Sequence, residues 1–140
     1  MRTELSESLR AHIDAAQTSE SVWGVSDCSK WAAAWVEQLH PGRKIALPHW
    51  SSRVEAYQLI EAAGSLERLW SDALVGLDIE RDIRLFETGR PQLGDVGIID
   101  TGRYGQVGGI FLHGEYFAWR AQTGVAFLVP RTIVKAWSIE

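Results

Sequence analysis

Residues 23–31 read Trp23-Gly24-Val25-Ser26-Asp27-Cys28-Ser29-Lys30-Trp31. A glycine and two residues with short side-chain oxygens lead directly into an aromatic, alanine-rich run. This predicts a helix that opens at Cys28 with Asp27 as its cap. A cysteine in a first helical turn has a chemical consequence. The unpaired amides and the positive dipole end favour a thiolate, so the thiol is expected to titrate low. The Cys28 amide and its neighbours could also donate to an oxyanion, which acyl transfer requires. On composition alone a lone cysteine beside tryptophans is more often an inert buried residue than a nucleophile, and that reading stands alongside. Ser26 is not a nucleophile elbow, because the second glycine is absent.

Outward from this stretch, Trp31, Trp35, Val36 and Leu39 share one face of a helix over 28–39, stopped by His40-Pro41-Gly42. Upstream, Leu5, Leu9, Ile13 and Ala16 predict a helix over 3–17. Downstream, Ser51 or Ser52 caps a third helix to Ala63, and Gly64-Ser65 separates it from a fourth carrying Leu66, Leu69, Trp70 and Ala73. Residues 75–86 read as either helix or strand. After Gly89-Arg90-Pro91 the character changes to short β-rich runs at 96–99, 107–112, 116–120, 124–129 and 132–137. Gly102 and Gly105 mark one hairpin and His113-Gly114-Glu115 another. The expected fold is therefore α+β in one domain, 1–140: helices over about 3–74 packed on an antiparallel meander over about 94–137.

Composition narrows the function. The 140 residues are 46% apolar and 23% charged, as in a globular protein. A net charge of −4 argues against a general nucleic-acid partner. Arg81, Arg84, Arg90, Arg103, Arg120 and Arg131 alternate with acids and read as a solvated mixed surface. Seven tryptophans supply either a core or a groove. One cysteine permits no internal disulfide and no cysteine-based zinc site, and no cofactor is expected. The polar start predicts cytoplasmic synthesis without a signal peptide, and no apolar run is long enough for membrane insertion.

The Asp27-Cys28-Ser29 triplet opening its helix resembles the nucleophile segment of the bacterial NlpC-type cell-wall peptidases. Pro91-Gln92-Leu93-Gly94-Asp95-Val96 looks like that family's Pro-x-x-Gly-Asp entry to a first core strand, and Gln106-Val107-Gly108-Gly109-Ile110 resembles the following strand. The resemblance covers roughly residues 20–130. It implies a papain-like fold and cysteine hydrolase chemistry on peptidoglycan stem peptides, with Cys28 as nucleophile and Asp27 supporting the turn. The chain is also similar to short relatives encoded in phages, prophages and gene-transfer-agent clusters. That similarity implies phage-tail or other particle proteins as partners and incorporation into a particle.

One position departs from the pattern. Where active members carry the histidine that takes the cysteine proton, this chain has Gln106, and a neutral amide is no base. The family's third polar residue would fall near Trp119-Arg120, where neither His nor Asn occurs. Among other histidines, His113 lies seven residues past Gln106, over ~20 Å along a strand, and reads as an exposed turn residue. His49 sits in a loop, His12 reads as partly buried on the first helix, and His40 ends the second. Asp95 and Asp100 flank one strand and read as turn formers rather than a glycosidase pair. The expected function is a catalytically degenerate, tail-associated module for tail assembly or cell-wall binding. The alternative is an active peptidase or amidase using Cys28.

Overall fold

The computed structural model describes residues 2–140. Four helices precede the sheet: α1 (Arg2–Gln17), α2 (Cys28–Leu39), α3 (Arg53–Ala63) and α4 (Leu66–Ala73). Six strands follow: β1 (Phe86–Glu87), β2 (Val96–Asp100), β3 (Gln106–Phe111), β4 (Phe117–Arg120), β5 (Val125–Leu128) and β6 (Thr132–Ser138). The α+β class expected from the sequence is observed, and α2 spans the expected residues.

Local chemistry sets the helix ends. Asp27, Ser52 and Ser65 each accept a hydrogen bond from the amide three residues on, opening α2, α3 and α4. At its far end α2 is fixed to the sheet by the Trp35 indole, which donates to the Gly94 carbonyl at 2.8 Å. The segment that read as either helix or strand is mostly irregular. It joins the rest through a parallel bridge, Lys44 to Asp82, through the two-residue β1, and through Ile83 and Leu85, which are buried in the core.

All strand pairs are antiparallel, in the order β1-β6-β2-β3-β4-β5. Strands β2 to β5 form the expected meander, but β6 departs from it. It crosses back to lie between β1 and β2, with Val96 opposite Trp137 and a register shift between Ile98 and Ile99. The sheet buries both faces. Ile98, Ile110, Ala118 and Trp137 meet Trp31, Trp35 and Trp70 beneath the helices, while Ile99, Phe111, Phe117 and Trp119 cluster on the opposite side. Six tryptophans (Trp31, Trp35, Trp50, Trp70, Trp119 and Trp137) are buried, and only Trp23 stands 40% exposed. Most of the unusual tryptophan content is therefore core.

Asp95 and Asp100 behave as the turn formers expected. Asp100 accepts from the Gly102 amide at 2.8 Å. Asp95 accepts from Gln92 N at 2.7 Å and reaches across to Ile139 N at 3.1 Å, so the segment entering β2 also pins the end of β6. Burial pushes the Asp95 carboxyl up despite those two donors. No described helix is long and apolar enough to cross a membrane.

Arg120 corrects the surface reading of the arginines. It is 5% exposed, and its guanidinium donates to Gly124 O at 2.6 Å, Ser19 O at 2.7 Å and Ser19 Oγ at 2.9 Å. It clamps the β4–β5 turn to the segment between α1 and α2. The alternating charge pattern misled because β4 is buried along its whole length.

Candidate functional site around Cys28

Cys28 occupies the first position of α2, half-buried, where the helix meets β3. Side chains alternate along a strand, so Gln106, Gly108 and Ile110 share one face of β3. Ile110 packs with the helices, which makes that face the one turned toward Cys28. The Gly108 amide faces the sulfur. Gln106 lies two residues before it, at the exposed start of the strand, and lines the same pocket as Cys28. With Asp27, which lines the pocket too, the structure thus brings together three of the residues singled out in the sequence.

Gly108 is what lets the layers close. A Cβ there would lie 2.2 Å from Trp70 Cζ2, because the indole of α4 lies directly on the strand backbone. The Trp70 indole nitrogen in turn donates to Ser29 Oγ at 3.0 Å, locking α4 to the first turn of α2.

Asp27 is buried and does more than cap. Its carboxylate accepts from Lys30 N at 3.1 Å, from Gly24 N at 2.6 Å and from Trp50 Nε1 at 2.7 Å. Those three donors tie α2 to the preceding turn and to the loop before α3. Gly24 has φ +80, and a Cβ on it would meet the Trp50 carbonyl oxygen at 1.7 Å, so only glycine permits this approach. The sequence marked Gly24 and Asp27 as turn chemistry. Nothing in it signalled Trp50, whose partner lies 23 positions away.

These surroundings reverse the expected titration of the thiol. Cys28 is pushed up, first by burial. The Gly108 amide and the Ser29 hydroxyl and amide oppose this, while the Asp27 carboxylate adds to it. The helix-end argument failed because Asp27 places a negative charge where the dipole is positive, and because tertiary packing removes water from the sulfur. A thiol held this way is protonated at neutral pH and a weak nucleophile.

The pocket beside Cys28 holds about 80 Å³. Trp23, Trp50 and Tyr57 stand along it, and Ala56, Ile60, Leu66 and Leu69 from α3 and α4 complete an apolar floor. No histidine lines it among the described residues. His113 sits at the other end of β3, beside Asp95 and Ile139, which removes it as a base for Cys28. His49 is an exposed loop residue. His12 stacks on Trp31 at 4.9 Å with its Nε2 3.0 Å from Trp31 O, and burial lowers its pKa. His40 caps the end of α2, with Nε2 3.0 Å from Ile139 O.

The site therefore combines a protonated thiol, an amide side chain and aromatic walls. It can hold a ligand by contact and hydrogen bonding, and none of the described residues that line it is a histidine. No curated protein matches the chain. Residues 1–139 match the family model described as Domain of unknown function (DUF6950), and the chain belongs to that family.

Proposed function

We propose that this chain is a papain-like domain of NlpC type whose hydrolytic step has been lost. On this reading its cleft serves as a binding surface in a phage- or prophage-type tail, for assembly or for contact with the cell wall. The observation that carries the reading is Gln106, which shares the Cys28 pocket from the first position of β3. Thiol attack on a peptide carbonyl needs a base to take the sulfur proton and later return it to the leaving amine. A carboxamide does neither. The raised thiol pKa agrees, since a working nucleophile of this kind is held as thiolate.

The test is to incubate purified sacculi with the protein and with Cys28→Ala, measuring soluble fragments and the protein that sediments with the wall. No fragments above the Cys28→Ala background is the expected result. Fragment release that depends on Cys28 would overturn the proposal in favour of an active peptidase or amidase.

A further inference from the structure

We infer that the open edge of β5 pairs antiparallel with β5 of a second copy of this chain, about a two-fold axis at Phe127. This surface lies apart from the Cys28 pocket and does not depend on the function proposed for it.

The two edges of the sheet are built differently. Strand order places β1 at one edge and β5 at the other. β1 is two residues long, its Glu87 is paired with Lys135 at 3.1 Å, and Arg90-Pro91 follow closely. Short length, charge and proline are the devices that keep an edge from pairing. β5 lacks them. Residues 121–129 hold neither a charged side chain nor a proline, and Phe127 and Val129 stand 45% and 49% exposed.

The backbone of this edge is open as well. Ala121 N donates to Gly124 O across the turn, and the register then sets Arg120 against Val125 and Ala118 against Phe127. Bonded and non-bonded pairs alternate along an antiparallel ladder, so Val125 and Phe127 turn their amides and carbonyls away from β4. The Val125 amide shows it, donating to Gln17 Oε1 at 3.2 Å. Among the described residues the Phe127 amide has no such acceptor.

Another extended backbone completes such an edge, and this one is complementary to itself. With the axis at Phe127, that residue and its copy exchange N–H and C=O, and Val125 lies opposite the second copy's Val129. The side chains of Val125, Phe127 and Val129 share one face, so apolar groups meet apolar groups and no like charges are opposed. The ends fit too. Residues 19–20 already cover the edge at Thr123 and Gly124, which confines the pairing to 125–129. That places Glu20 at the limit of the interface, where the second copy's Arg131 follows its Pro130. Neither is in an ion pair among the described residues, and their charges are opposite.

Sedimentation velocity of the intact chain from ~1 to ~500 µM should show a reversible dimer, a weak one because five paired residues a side fall short of the ~800 Å² per partner of a standard interface. Phe127→Lys, a surface change, sets like charges against each other at the axis and should weaken association at least ~tenfold. Glu20→Arg and Arg131→Glu should each weaken it, and the two combined should restore it. Amide exchange gives an independent reading: the Phe127 N–H should exchange freely in dilute solution and become protected as concentration rises. A monomer throughout overturns the inference, as does a dimer indifferent to Phe127→Lys. Protection of the Phe127 N–H by an added peptide of residues 124–130, in a chain that stays monomeric, would assign the edge to a separate extended segment and overturn the pairing of copies.

Discussion

Replacing Gln106 with histidine puts a base in the Cys28 pocket, and the proposed function sets what should follow. Gln106 lies on the same face of β3 as Gly108, whose amide faces Cys28 Sγ, and two residues of strand separate them by ~6.7 Å. Position 106 is exposed, so an imidazole can enter without displacing the core. An ordinary thiol titrating near ~8.5 carries about 3% thiolate at pH 7, and burial pushes Cys28 up from its ordinary range. Thiols beside an imidazolium titrate between about 3.5 and 7.5. Even a value near 7 gives about half thiolate, an increase of more than roughly tenfold. Alkylation by iodoacetamide, followed by mass spectrometry from pH 5 to 10, reads this directly. Gln106→His should shift the profile to lower pH and raise the rate at pH 7 by about that factor, while Gln106→Asn should not. An unchanged profile in Gln106→His would refute the placement of position 106 opposite the thiol, and the functional reading with it.

Three further outcomes follow from the same contacts. Gly108→Ala should destabilise the fold by about 3 kcal/mol or more in urea titration, because the new methyl would collide with the Trp70 ring; a loss under ~0.5 kcal/mol would contradict that packing. Asp95→Asn keeps the shape but turns a donor toward an amide, so it should cost about 1–3 kcal/mol, seen as a lower Tm. His12 has a folded pKa below its unfolded value of ~6.5, so neutral His12 favours folding above that pH and the benefit is lost as pH falls through the folded pKa. Urea unfolding at pH 7.5 and 5.5 should show this loss, and His12→Gln should reduce it.

Helices were the most legible part of the chain because their limits are set within a few residues. Asp27 ahead of Cys28 and Pro41-Gly42 behind it are sufficient to bound α2. Strands β2 to β5 were legible for the same reason, since short turns with glycine join neighbours. The return of β6 to β2 was not. Its register depends on Trp137 meeting Val96 some 40 positions away, and no local signal encodes that. The burial of Arg120 was hidden because its partners are the Ser19 and Gly124 carbonyls and the Ser19 hydroxyl, none of them an acid whose charge would signal pairing. At the site, Cys28, Asp27 and Gln106 stood out by type and position, whereas the walls from α3 and α4 came only with tertiary packing. The sign of the thiol shift was missed for that reason. A helix end is a local quantity, and desolvation is not.

The crossing of β6 has a consequence for how the chain is made. Its residues fill the gap between β1 and β2, and the Ile139 amide is held by the Asp95 carboxylate. Until residues 132–139 have been synthesised, β2 has a bare edge and the groove for Trp137 stands open beneath Trp70. Translation up to residue 131 therefore yields helices without a closed sheet, and assembly waits on the final strand. A fragment ending at residue 131 should remain uncooperative in thermal unfolding, and adding residues 132–140 as a separate peptide should restore a single transition.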